Sequence, residues 1–257
     1  MKKILVIGLI FVLIGGVFCG AAYAAGEKYT DSQMTDITSE FAAGGVAGIY
    51  IGNYVADIKI IKGEANSNEI LIKAENVAEN GFLCDVSGGV LNISYDPDKV
   101  RFGVISFPSF VFEPFWKNAR PVISIYIPEE KYFDEIYIDG GLGNAEIARI
   151  QAKSFVVSGG VGNLAIRDIF AESLNIDGGL GDVNISGVVE GDILINGGVG
   201  NMRLNLKGDA GDYNIHTQNG LGNVKVTDGG GIIPPVWNGK YNIDIDGGLG
   251  NIDISIN

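Results

Sequence analysis

Gly140-Gly-Leu-Gly-Asn144 is the first of six nearly identical pentapeptides in the second half of this 257-residue chain. The others are Gly159-Gly-Val-Gly-Asn163, Gly178-Gly-Leu-Gly-Asp182, Gly197-Gly-Val-Gly-Asn201, Asn219-Gly-Leu-Gly-Asn223 and Gly247-Gly-Leu-Gly-Asn251. The first four copies start 19 residues apart, and the next two steps are 22 and 28 residues. A nearly fixed period of this length indicates a repeat architecture in which each copy adds one layer.

Apolar and polar residues alternate on both sides of each pentapeptide, as expected for half-buried β-strands. Around the first copy the apolar positions are Ile136, Ile138, Ala145 and Ile147, and the later copies repeat them. The glycines between the two arms fit a corner of the backbone with positive φ. The third motif residue is Leu or Val in every copy, and we assign it to the core.

We therefore predict an all-β fold, a single-stranded parallel β-helix (β-solenoid) with coils of about 19 residues and right-handed winding. Gly44-Gly45 and Gly88-Gly89 echo the glycine corner, which extends the prediction into the first half of the chain. Stacking would align the fifth motif residues in a ladder joined by amide hydrogen bonds. Its members are Asn144, Asn163, Asp182, Asn201, Asn223 and Asn251.

Two segments interrupt the repeat, and both are candidate partner-binding sites. The aromatic segment, residues 102–118, contains Phe107, Phe110, Phe112, Phe115 and Trp116, and the proline segment, residues 228–240, contains Pro234, Pro235 and Trp237. Exposed aromatic side chains would offer a large contact area to a partner. The alternative is that each segment folds back over the flank or end of the stack.

The N-terminus has the features of a secretory signal peptide, which we place at residues 1–24. Lys2 and Lys3 precede an apolar stretch, and Ala22-Tyr23-Ala24 forms a small-residue cleavage site. An uncleaved membrane anchor is the alternative, and lipidation at Cys19 is disfavoured by the large Phe18 before it. We expect a polar leader at 25–40, a β-helix domain at 41–257, and no transmembrane segment in the mature chain.

The chain is strongly acidic, with a net charge of −13. Cleavage after residue 24 would remove two of the 18 basic residues and none of the 31 acidic ones, giving −15. This charge argues against nucleic acid as a partner. Cys84 would then be the single cysteine of the mature chain, so no intrachain disulfide is expected.

Three stretches of the first half, together with the glycine repeats, resemble a known family. They are Val55-Ala-Asp-Ile-Lys-Ile-Ile-Lys62, Glu69-Ile-Leu-Ile-Lys73 and Gly89-Val-Leu-Asn-Ile-Ser94. The family comprises bacterial cell-envelope proteins known as putative adhesins, which have no established function. The resemblance spans roughly residues 44–257 and implies export and a β-helix, but it supplies no catalytic residues.

Two catalytic or metal-dependent alternatives remain. The pentapeptide is similar to a calcium-binding glycine repeat, but that repeat needs Asp where this chain has apolar residues such as Val183. A carbohydrate-active enzyme needs paired carboxylates, and Asp139 and Asp177 would lie two layers apart with Ser158 between them. The single histidine, His216, has no evident nucleophilic partner.

We therefore expect a non-catalytic, exported cell-envelope protein, an adhesin or structural scaffold without cofactor or metal. The alternative is a carbohydrate-active or calcium-dependent enzyme on the same fold. The partner of the adhesin or scaffold would be a surface protein, a glycan, or a second copy that pairs with an exposed end of the stack. The chain stops within the strand pattern 252–256, so this strand would either lie under the proline segment or pair with another molecule.

Overall fold

The computed structural model describes residues 34–257 except 64–67, 97–99, 103–104, 108–119, 219, 229–230 and 233–238. The strands are β1 (Met34–Ala42), β2 (Gly48–Tyr54), β3 (Asp57–Lys62), β4 (Glu69–Ala78), β5 (Phe82–Ser87), β6 (Val90–Tyr95), β7 (Val100–Phe102), β8 (Ile105–Phe107), β9 (Val122–Ile127), β10 (Tyr132–Ile138), β11 (Ala145–Ala148), β12 (Gln151–Val157), β13 (Leu164–Asp177), β14 (Val183–Val189), β15 (Ile193–Asn196), β16 (Met202–Leu206), β17 (Tyr213–Gln218), β18 (Val224–Asp228), β19 (Gly231–Ile232), β20 (Tyr241–Asp246) and β21 (Ile252–Ile256). Short 3-10 turns cover Ala43–Gly45, Glu79–Gly81 and Ala210–Asp212.

Nineteen of these strands form one mixed sheet that closes almost completely around a single apolar core, and β7 pairs only with β8. Stack A contains, in spatial order, β5, β6, β2, β10, β12, the end of β13, β15, β20 and β17. Stack B contains β1, β4, β9, β3, β11, the start of β13, β14, β16, β21, β18 and β19. The long strand β13 belongs to both stacks and joins them.

The prediction of a single-stranded parallel β-helix is wrong, because the sheet is mixed. Strands β1, β4 and β5 pair antiparallel with their neighbours, as does β19 at the other end. Between β5 and β6 the reason is local: Gly88 and Gly89 have φ of +59° and +81° and form a two-residue turn. Such a turn joins antiparallel strands, whereas parallel neighbours need a long crossover. This glycine pair is therefore a hairpin and not a glycine corner.

The order of layers also differs from the order of the chain. The last repeat, β20 and β21, lies between the repeat that ends in β16 and the repeat that contains β17 and β18. Strand β21 therefore pairs on both sides within the chain, so the expectation that it lies under the proline segment or pairs with another molecule is wrong. At the other end, β1 starts at Met34, inside the segment assigned to a polar leader.

The core consists of the inward positions that the alternation predicts. In the third repeat Leu174, Ile176, Val183 and Ile185 are all buried. Full burial of each such aliphatic side chain contributes about 1.5–3 kcal/mol. The pattern fails near the end of stack A, where Thr217 occupies an inward position and is exposed.

Candidate functional site

The glycine corners bring successive backbones into very close contact. Gly143, Gly162, Gly181, Gly200 and Gly250 have φ between +143° and +148°. A Cβ at Gly162 would lie far inside 3.0 Å of the Gly143 carbonyl oxygen, a separation that real side chains do not reach. Both the backbone conformation and the close approach therefore require glycine.

The third motif residues do not enter the core, which corrects their assignment from the sequence. Val161, Leu180, Val199 and Leu249 are 46%, 52%, 46% and 48% exposed, and Leu221 is 86% exposed. Parallel bridges join Leu142, Val161, Leu180, Val199 and Leu249 in that order. Together with Leu221 these residues form one line along the corner, which we name the corner ridge.

A second line runs beside the ridge and consists of the fifth motif residues. The backbone N–H of Asn163 donates to Asn144 Oδ1 at 3.0 Å, and the N–H of Asp182 donates to Asn163 Oδ1 at 3.0 Å. The same contact joins Asn201 to Asp182, Asn251 to Asn201 and Asn223 to Asn251 at 2.9–3.2 Å. The ladder is thus formed mainly by backbone donors and side-chain oxygens rather than by stacked amides.

Sequence reasoning missed the first member of this ladder, because Asp57 does not belong to a glycine pentapeptide. Its Oδ1 accepts a hydrogen bond from the backbone N–H of Asn144 at 2.8 Å. The available signal was the apolar alternation of Ile58 and Ile60 directly after it, which matches the arm that follows each motif.

The other flank of the ridge is the row immediately before the motif, namely Asp139, Ser158, Asp177, Asn196, Asp246 and Gln218. Asp139 and Asp177 lie two layers apart with Ser158 between them, as the spacing predicts. Asp139 accepts a hydrogen bond from the Tyr50 hydroxyl at 3.2 Å, and Asp177 accepts one from Asn196 at 2.6 Å. Burial, followed by the nearby Asp139 carboxylate, raises the pKa of Tyr50. These carboxylates lie along a row beside the ridge and bond to neighbouring layers.

His216 lies on the outward face of stack A and is exposed. Its Nδ1 is 3.1 Å from Asp244 Oδ1, and the next side chain in that row is Leu194. The row therefore places a carboxylate next to the imidazole and an aliphatic residue one strand further on.

Most of the aromatic candidates lie outside the described residues. These are Phe110, Phe112, Phe115, Trp116 and Trp237, while Phe107 is described only as the last backbone position of β8. The predicted signal peptide also lies outside them. Within the described ranges, no three His, Cys, Asp or Glu side chains could together hold a metal ion, and no helix has the length and hydropathy needed to span a membrane.

Several solved structures of bacterial proteins show similarity to this chain. A protein of Clostridium sporogenes named as a putative cell adhesion protein is 17% identical, with a TM-score of 0.45 over 88% of this chain and 100% of that one. A putative adhesin of Bacteroides fragilis is 13% identical, with a TM-score of 0.36 over 86% and 97%. A putative lipid binding protein of Parabacteroides distasonis is 14% identical, with a TM-score of 0.28 over 86% and 96%. At these values we draw no functional conclusion from the similarity.

Among curated proteins, no sequence matches this chain. A family profile does match, described as Toastrack DUF4097, and the match covers residues 47–255. Toastrack is a β-fold different from a single-stranded β-helix, in agreement with the mixed sheet. On this match over most of its length, the chain belongs to the Toastrack DUF4097 family.

Proposed function

We propose that the protein is a non-catalytic, exported surface protein that adheres to a basic partner protein through the corner ridge. The observation that carries the proposal is the line of exposed aliphatic side chains between two rows that contain carboxylates. The export component of the proposal is supported by the N-terminal sequence, with Lys2, Lys3 and the Ala22-Tyr23-Ala24 cleavage site.

An aligned ridge differs from scattered surface leucines, which are common on soluble proteins. Five ridge residues are at least 46% exposed and occupy successive layers, so the line from Val161 to Leu221 is about 19 Å long at about 4.8 Å per strand. Covering the exposed half of each side chain with a partner would contribute about 1 kcal/mol per residue to the free energy of binding. A partner that covers four of them gains about 4 kcal/mol from apolar burial, to which charged contacts at the flanks would have to add.

The flanks of the ridge select the charge of the partner. Asp139, Asp177 and Asp246 border one side and Asp182 the other, and neither row contains Lys or Arg. A partner with Lys or Arg on both sides of an apolar strip would complement this pattern. A second copy would bring identical acidic rows and a net charge of −13 of its own, which disfavours self-association through this surface.

The non-catalytic part of the proposal rests on the arrangement of the polar groups. Asp139 and Asp177 take part in hydrogen bonds that run along the stack, and the cavity that Asp177 lines, about 40 Å³, is far smaller than a ligand pocket. Carboxylate pairs that cleave glycosides must face each other across a bound sugar. The carbohydrate-active alternative therefore has less support than adhesion.

The proposal can be tested with a defined probe. We suggest a decapeptide that alternates Lys with Val, its Glu/Val counterpart, and binding measured by fluorescence anisotropy. The Lys/Val peptide is expected to bind and the Glu/Val peptide is not. The double variant Leu180→Ser/Val199→Ser should weaken binding about 30-fold, because it removes about 2 kcal/mol of apolar contact without changing charge.

A matched control is Leu83→Ser, since Leu83 is 68% exposed but lies on β5, at the opposite end of stack A. This variant should bind as the wild type does. Equal binding by the wild type and the ridge variant, or equal binding of both peptides, would contradict the proposal. Dimerisation in analytical ultracentrifugation that the ridge variant abolishes would instead identify a second copy as the occupant.

A further inference from the structure

A shallow groove of about 300 Å³ crosses the outer surface of stack B at strands β16, β21 and β18. Its polar lining is a grid of two rows, Arg203–Asp253–Lys225 and Asn205–Ser255–Thr227, in which each residue is in register with its neighbours. The volume is at the lower end of the range for sites that bind small ligands.

In the charged row, neither Arg203 nor Lys225 has a carboxylate at bonding distance among the described residues. Elsewhere in the described chain Lys153 and Lys207 form ion pairs with Asp134 and Asp168. By contrast, no hydrogen bond or ion pair joins Lys225 or Asp253 to another side chain among the described residues. Arg203 makes a long contact of 3.3 Å to Asn184 Oδ1, which leaves most of its N–H donors available.

The second row is already oriented by hydrogen bonds. The Ser255 hydroxyl lies 3.3 Å from Asn205 Oδ1 and donates to it, so the Asn205 amide N–H groups are turned toward other partners. The Ser255 oxygen in turn accepts from Asn257 at 3.0 Å, and the Thr227 hydroxyl donates to the Ile254 carbonyl at 3.3 Å. This row therefore offers donors and acceptors in fixed positions, as a polyhydroxylated ligand requires.

We infer that this groove binds an acidic saccharide, with a sugar carboxylate at Arg203 or Lys225 and sugar hydroxyls at Asp253, Asn205 and Thr227. Arg203 and Lys225 stand two strands apart, about 10 Å, which suits a ligand of disaccharide width. A guanidinium pairs well with a carboxylate. Asp253 between the two cations repels a dianion such as phosphate but accepts hydrogen bonds from hydroxyl groups, and so favours a monoanionic sugar.

The inference is independent of the corner ridge, because the groove lies on the outward face of stack B and shares no residue with it. The test uses an array of oligosaccharides that contain hexuronate or sialic acid, with their methyl esters beside them. Isothermal titration calorimetry then measures the affinity of the acidic oligosaccharide that binds most strongly on the array. We expect methyl esterification, and separately the variant Arg203→Gln/Lys225→Gln, to weaken binding at least about tenfold through loss of charged hydrogen bonds.

Lys59→Gln is the matched control, because Lys59 is exposed in the same row of stack B but four strands from Arg203. It should leave the affinity unchanged, and circular dichroism should show that all variants fold. The inference is overturned if no acidic sugar binds better than its ester, or if the double variant binds as the wild type does. Competition by millimolar inorganic phosphate would also overturn it and would indicate a simple anion site.

Discussion

Alanine substitutions at four glycines would separate the two reasons why a corner position must be glycine. At Gly181 both apply, because φ is +143° and an added Cβ would lie far inside 3.0 Å of a backbone oxygen in the neighbouring layer. At Gly197 only the close approach applies, and at Gly88 only the positive φ, +59° with nothing within 4 Å. Gly45 has neither constraint and serves as the control.

The expected costs follow from these geometries. Gly88→Ala places a side chain in the left-handed region and should lower the free energy of unfolding by about 1–2 kcal/mol. Gly197→Ala must displace the backbone that donates to the Asp246 carbonyl at 2.6 Å, and an unmade buried hydrogen bond costs about 1–3 kcal/mol. Gly181→Ala combines both effects and should cost about 2–5 kcal/mol. Gly45→Ala should be neutral or stabilising by up to about 1 kcal/mol.

Urea denaturation followed by circular dichroism measures these differences through the midpoint at constant m-value. The reasoning requires Gly181→Ala to be the most destabilising variant and Gly45→Ala the least. If Gly181→Ala costs no more than Gly88→Ala, the close stacking of corner backbones contributes nothing to stability, and backbone contact is refuted as the cause of the glycine repeat.

Three further predictions concern single side chains. Asp182→Ala should lower the unfolding free energy by about 0.5–1.5 kcal/mol in urea denaturation, because it removes the 2.9 Å acceptor of the Asn201 N–H, while Asp182→Asn should restore it. Burial raises the pKa of Tyr54 to about 12 in the folded protein, above the ordinary value of 10.0 for an unfolded chain. The buried neutral hydroxyl therefore stabilises the fold fully below pH 10, and this stabilisation is lost as the pH rises toward 12. The midpoint of urea denaturation should fall between pH 10 and pH 12 in the wild type, and it should fall less in the variant Tyr54→Phe. Burial also raises the pKa of Cys84 to about 12, so iodoacetamide at pH 8 should modify it slowly in the folded protein and rapidly in urea.

The alternation of apolar residues predicts the strands and most of the core, but it cannot predict how the strands pair. A period of two is the same in parallel and antiparallel strands, so the antiparallel pairing of β4 with both β1 and β9 leaves no mark on the sequence. The six repeats also present similar faces to one another. Nothing in the sequence of β20 and β21 therefore shows that this repeat enters between two earlier ones.

The sequence pattern misassigns the ridge because the phase of the alternation changes inside the corner. In the arm before the motif, inward residues stand at even distances from its first glycine, as with Ile176; in the arm after it they stand at odd distances, as with Val183. The third motif residue stands at an even distance from the first glycine, like the inward residues of the arm before the motif, so the pattern predicts a buried Leu180. The backbone has already turned at that point, and the side chain faces outward with 52% of its surface exposed.

Stacking explains every position of the pentapeptide except the third. The glycines are required by backbone contact, and the fifth residue supplies the oxygen that bonds the next layer. The fold makes a weaker demand at the third position, where Leu221 is 86% exposed and Val161, Leu180, Val199 and Leu249 are 46–52% exposed. A Ser or Thr there would keep the backbone bonds of the corner, since those involve only the N–H and C=O groups. The proposed binding role of the corner ridge would account for the recurrence of Leu or Val in all six copies.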